Sequence, residues 1–176
     1  MKVRTTAVLG LLLLLVGHAF AQDVNVSYNH GTNFSKFKTY AWGKMQSPNQ
    51  IKHPRLAKEV QNQVNAQMQA KGLTMVQLSQ NPDVIVTASG ASKEQTFYSN
   101  WDASGTVFTA GTDNGVPYEQ LMGALVVDLY DVNAKHLVWR GTATGILNQK
   151  SFDKNKELVD KAVVKMFQQY PSFPAM

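Results

Sequence analysis

The side chains in this sequence that could do acid–base chemistry are few and scattered. Glu94 and Glu119 flank a long stretch without periodicity, so a fold that brought them together would supply the paired carboxylates of a hydrolase. Asp128 and Asp131 are close in sequence, but the turn that follows accounts for Asp131. His30 sits in a turn, His53 precedes Pro54 and His136 opens a strand, and no two share the four-residue helical spacing of a metal site. Cysteine is absent, which excludes thiol catalysis, cysteine-held zinc, iron–sulfur clusters, disulfides and a lipid anchored on a cysteine. Neither a nucleophile elbow nor a glycine-rich phosphate loop is present. The sequence therefore predicts a non-catalytic protein with no cofactor and no metal.

A different kind of site is suggested by aromatics. Between Gln95 and Met122, Gly105, Gly111 and Gly115 mix with Ser, Thr and Asn, and the pattern dissolves into what reads as a long loop. Phe97, Tyr98, Trp101, Phe108 and Tyr118 stand out in it. Aromatic side chains supply contact area at binding surfaces, so these five are the candidate partner or ligand contacts. The plainer alternative is a surface excursion pinned by two or three of them.

What must position these residues is one domain. Lys2 and Arg4, the apolar run Ala7 to Val16 and the small-x-small site Ala19-Phe20-Ala21 form the three parts of a secretory signal peptide. About ten apolar residues are too few to span a bilayer, which needs about 20. The sequence predicts cleavage before Gln22, export, and a residence in the periplasm or at the outer envelope. Residues 22–176 are the size of a single domain. Once Lys2 and Arg4 leave, 15 basic residues face 12 acidic ones, a net charge of +3. The basic residues form no continuous face, which argues against nucleic acid as a partner.

The element pattern follows from periodicity. Val24, Val26 and Tyr28 alternate with polar residues as in a half-buried strand. Phe37 to Trp42 predicts a second strand, Leu73 to Leu78 a third, and Val84 to Ala88 a central one. From Pro54 to Lys71, Leu56, Val60, Val64 and Met68 form one helical stripe that Gly72 ends. A broader stripe through Leu158, Val159, Ala162, Val163, Met166, Phe167 and Tyr170 predicts a C-terminal helix stopped by Pro171.

Leu125 to Tyr130 and Leu137 to Leu147 read as a hairpin whose register the apolar pattern should fix. A three-residue loop, Asn133-Ala134-Lys135, sets Leu129 opposite Trp139 and Leu125 opposite Ala143. Asp128 then faces Arg140 on the side away from the helices, as a structural cross-strand pair. Gly141 and Gly145 lack side chains and predict a close approach by a helix or strand.

Read together, several segments resemble a family of bacterial envelope proteins catalogued as domain of unknown function 4136. The segments are Phe34 to Trp42, Lys71-Gly72, Asn81 to Val86, Gly123 to Leu129, Leu137 to Gly141 and Phe167 to Pro171. The resemblance runs from about Val24 to Pro171. It implies an α+β fold and an envelope location, and it assigns no reaction and no catalytic residue. Many members look like lipoproteins, and this protein departs from them in lacking the cysteine.

The architecture expected is α+β: a two-layer sandwich in which a mainly antiparallel sheet of about six strands carries two amphipathic helices on one face. The leading function is a non-catalytic binding or assembly module whose partner is an envelope protein or a small apolar ligand. A carrier of such a ligand or lipid is the first alternative, and a roomy apolar cavity would favour it. A carboxylate-dependent hydrolase is the second.

Overall fold

The computed structural model describes residues 22–43, 54–98 and 117–171. The expected signal peptide, Met1 to Ala21, lies outside them, as do His53, Trp101 and Phe108. Six strands and two helices follow in the order β1 Asp23–Tyr28, β2 Thr39–Trp42, α1 Pro54–Ala70, β3 Thr74–Met75, β4 Val84–Tyr98, β5 Pro117–Asp131, β6 His136–Leu147 and α2 Phe152–Gln168. The sheet order is β1-β6-β5-β4-β2-β3. Every pairing is antiparallel except those of β2, which runs parallel to both β3 and β4. A parallel neighbour needs a crossover, and α1 supplies it between β2 and β4.

Each helix forms where its apolar spacing lets it bury one stripe. On α1 the buried residues are Leu56, Val60, Val64 and Met68. Gly72 follows at φ 85°, a left-handed conformation that turns the backbone out of the helix. On α2, Val159, Ala162, Val163, Met166 and Phe167 are buried, and the Ser151 hydroxyl accepts the Lys154 N–H at its start. Both stripes join one core with Val84, Val86, Ala88, Leu125, Val127, Leu129 and Trp139. These sheet residues alternate along their strands, so both helices cover the same face. Between the helices, the Lys156 ammonium sits 2.8 Å from Glu59 and 2.7 Å from Asp160.

Three expectations need correction. The stretch from Gln95 to Met122 is not all loop: β4 runs on to Tyr98 and β5 begins at Pro117, paired residue for residue. Before Leu121, β5 has no partner on its β6 side, so the ends of β4 and β5 project as a two-stranded ribbon. Ala91 to Thr96, which lead into it, are all exposed. With neither face buried, no apolar alternation marks them, and hydrogen bonding to the partner strand alone keeps them extended.

The second correction is the hairpin turn. Leu129 faces Trp139 and Asp128 faces Arg140, but the register shifts after Leu129, where Tyr130 pairs with Leu137 and Asp131 with His136. The connection is therefore four residues, Val132 to Lys135, with Val138 the extra residue of a bulge. Asp131 builds it by accepting the N–H groups of Asn133 and Ala134, each at 2.9 Å. Lys135, at φ 57°, takes the left-handed position. Third, the strand expected over Leu73 to Leu78 shrinks to Thr74–Met75, and Leu78 stands exposed in a single turn of 3₁₀ helix.

Candidate functional site

The helices do not cover the whole sheet. Past the first turns of α1 and α2, the strands continue and leave an apolar groove of about 430 Å³. Gly123 and Leu125 of β5 and Ala143 and Gly145 of β6 form its floor. Leu56 and Val60 form the α1 wall, and Leu158, Val159 and Ala162 form the α2 wall. Three of these four floor residues, Gly123, Ala143 and Gly145, are small. A Cβ on Gly145 would lie 3.2 Å from the Leu158 side chain, so the helix leans on bare backbone there. Such a volume falls within the range of small-molecule sites.

Amides hold the banks in place. Gln22 Nε2 donates to the Leu158 carbonyl at 2.8 Å, tying the entry of β1 to α2. The buried Asn155 side chain accepts the Asn148 N–H at 2.7 Å and donates to the Asn148 carbonyl at 2.8 Å. These polar groups already have protein partners, so the groove offers chiefly apolar contact. Its lining carries two charged residues, Lys93 and Glu94. Strand alternation puts Glu94 on the helix-facing side, with Ser92 and Gly90, and Lys93 on the other.

Of the predicted aromatic contacts, Phe97 and Tyr118 do not line this groove. Phe97 and Tyr118 stack on the ribbon with ring centroids 5.9 Å apart. Tyr98 ends β4 opposite Pro117. Trp101 and Phe108 lie outside the described residues, so the five are not seen to converge. Glu94 and Glu119 do come onto one face of the ribbon, because Glu94 pairs with Leu121 and Glu119 with Thr96. They are diagonal neighbours. Both are exposed and Glu119 does not line the groove, so this geometry encloses no pair of carboxylates. His30 packs beside the Tyr28 ring, and His136 meets the Ala134 carbonyl and the Asn29 amide. Among the described residues, no three His, Asp or Glu gather where they could hold a metal.

Asp128 and Arg140 form a two-pronged pair on the uncovered sheet face, Nε to Oδ1 at 2.6 Å and Nη2 to Oδ2 at 2.7 Å. The bond to Asp128 holds the guanidinium pKa above its ordinary value. Arg140 is nearly half exposed. A double-mutant cycle with Asp128→Ala and Arg140→Ala should therefore give a coupling of only about 0.5–1 kcal/mol, read by urea denaturation. A coupling near zero would mean that solvent, not the neighbouring strand, holds the arginine.

The groove was missed by sequence reasoning because an absence of side chains makes it. Gly145, which Leu158 approaches, was its trace in the sequence, whereas Gly141 is crowded by Met166 and Trp139 and does not line it.

Comparison with known proteins bears on the fold. The profile of a family described as domain of unknown function (DUF4136) matches residues 24–172. No curated protein matches the sequence. Among solved structures, the protein is similar to a DUF4136 family protein from Bacteroides thetaiotaomicron, with TM-score 0.57 at 15% identity over 85% of this chain and 96% of that one. It is also similar to a PDZ domain protein from Parabacteroides distasonis, with TM-score 0.52 at 15% identity over 88% of this chain. The match spans only 37% of that longer protein. A third is PelC from Paraburkholderia phytofirmans, a dodecamer, with TM-score 0.50 at 14% identity over 86% of this chain and all of the other. At such identities the likeness is one of fold.

Proposed function

The chain belongs to the DUF4136 family, which has no assigned function, and from that premise we propose that it is an exported, non-catalytic binding module of the bacterial envelope. Its groove takes the apolar part of a small ligand or lipid. The observation that carries this is the groove of about 430 Å³, whose lining is mostly apolar, has only two charged residues, and has Gln22 and Asn155 tied to the protein backbone. A ligand entering it loses apolar surface to Leu56, Val60, Leu125, Leu158 and Val159, and the gain scales with the area removed from water. Export is supported by the signal-peptide pattern of the first 21 residues. No helix among the described residues is long and apolar enough to cross a membrane.

Native mass spectrometry of protein taken from the bacterial envelope should show a copurified amphiphile, displaceable by a fluorescent fatty-acid analogue. Leu158→Trp would fill the groove from the α2 wall. It should weaken the analogue by about tenfold or more while leaving the far-ultraviolet circular dichroism unchanged. Wild-type protein that neither carries nor takes up any amphiphile would remove this reading.

A second reading is assembly, favoured by the projecting ribbon with its stacked Phe97 and Tyr118. An isolated two-stranded ribbon is marginal in water and gains from being covered. PelC, similar in fold, is a dodecamer. A monomeric mass by light scattering at high concentration would count against assembly.

A further inference from the structure

We propose that removal of the signal peptide completes the groove, because the new α-ammonium of Gln22 becomes a cationic anchor for the head of an anionic amphiphile. The inference rests on the export and groove readings above. Gln22 is the residue at which two independent features meet. The small-x-small site places the scissile bond between Ala21 and Gln22. The structure places Gln22 on the rim of the groove.

The residue is fixed from both sides. Its carboxamide donates to the Leu158 carbonyl at 2.8 Å, and the next residue, Asp23, pairs with Thr144 as the first rung of β1. Gln22 is therefore held between a helix wall and a strand. Before cleavage its backbone nitrogen is a neutral amide. After cleavage it is an amine with an ordinary pKa of about 7.7–8.0, mostly charged at neutral pH.

Charge on the opposite bank sets the ligand's direction. Glu94 belongs to β4, which is separated from β1 by β6 and β5. Three strand spacings make that distance roughly 14 Å. Asp23 and Lys93 project from the other face of the sheet by strand alternation. An anionic head is thus repelled by Glu94 and drawn to Gln22, and its tail lies over Leu125 and Ala143, between the Leu56 and Val60 wall and Val159. Before cleavage, Glu94 is the charged side chain that strand alternation turns into the groove.

The test uses the processed protein, isolated from the periplasm, with its N-terminus at Gln22 established by mass spectrometry. Calorimetric titrations with laurate, dodecyl phosphate and dodecanol compare three heads on one tail. At least one anion should bind about fivefold more tightly than the alcohol, and the better anion identifies the head class. Glutaminyl cyclase then neutralises the amine: the α-nitrogen attacks Cδ, the Cδ–Nε2 bond breaks, ammonia leaves and a lactam remains. The anion's advantage should vanish while dodecanol still binds. Equal affinities for all three ligands, or an anion's advantage that survives cyclisation, would overturn the charge anchor and leave the groove standing. An equal loss for anion and alcohol would assign the effect to the lost Gln22–Leu158 bond and overturn it as well. Failure of every ligand would overturn the groove reading itself, and an N-terminus elsewhere would overturn the premise of cleavage at Gln22.

Discussion

Trp139→Ala should destabilise the protein by about 3–5 kcal/mol, the cost of emptying a large aromatic site. Trp139 is fully buried and lies at the centre of an aromatic cluster. Its ring is 5.0 Å from Phe167 and 6.2 Å from Tyr170, and Phe34 meets Tyr170 edge-on at 5.3 Å. Trp139 therefore joins β6 to the end of α2 and, through Tyr170, to the segment before β2. The same burial pushes the Tyr170 hydroxyl up to about pKa 12. For a domain of this size, the loss corresponds to a fall of roughly 10 °C in melting temperature, measurable by calorimetry.

Trp139→Phe should cost less than half as much. Phenylalanine keeps most of the ring contacts, and it removes an Nε1–H that finds no partner within the described protein. Gly141→Val tests the same cluster from the other direction. A Cβ there would lie 2.7 Å from the Trp139 ring and 2.9 Å from Met166, too close for either to remain in place. If Trp139→Ala melts within 2–3 °C of wild type, on the order of 1 kcal/mol, the cluster is not what joins the layers.

Asp131→Ala should cost about 2–3 kcal/mol, a large effect for a polar residue in a turn. Its carboxylate is almost wholly buried, 2.7 Å from the Lys36 ammonium, and accepts two turn N–H groups. Removing it takes the ion-pair partner from Lys36 and, at the same time, the one acceptor that holds the Asn133 and Ala134 N–H groups in the turn. Asp83 plays a matching part nearby, accepting the N–H groups of Lys38 and Thr39 and the Thr39 hydroxyl.

Burial pushes the Asp131 carboxyl pKa up, but Lys36 and the N–H groups of Ala134 and Asn133 outweigh it and hold it below the ordinary value. Asp83 is likewise raised by burial and lowered further by its Lys38 and Thr39 donors, with a net fall. The sign follows. A carboxyl with a depressed folded pKa contributes stability that is fully present above its unfolded pKa, about 3.9, and lost as pH falls through the folded value. Urea midpoints should therefore decline below about pH 4, and Asp131→Asn should flatten that decline while lowering stability at neutral pH. An unchanged acid slope in Asp131→Asn would assign the acid sensitivity elsewhere.

How much of this was legible in the sequence depended on which residues had a covered face. The helices were, because Leu56, Val60, Val64 and Met68 repeat at the spacing of one buried stripe. So was the facing of β5 and β6, because Leu125, Val127 and Leu129 all point into the core and a slip of one residue would expose them. The turn itself was not, since three and four residues both close that hairpin once a bulge at Val138 absorbs the difference. The outer half of β4 was illegible as well: Ala91 to Thr96 are exposed and have no face to pattern.

The sequence by itself determined the α+β character, the six-strand sheet with its two amphipathic helices, and the family to which the protein belongs. Those properties are carried by local periodicity and by short segments in fixed order. Only the tertiary structure decided that a groove lies over Gly123 and Gly145, that Gln22 stands on its rim, and that Glu94 and Glu119 share a face outside any enclosed site. A cavity is the volume left between elements distant in sequence, and its shape depends on where helices end above a floor of small residues. No periodicity along the sequence encodes that distance.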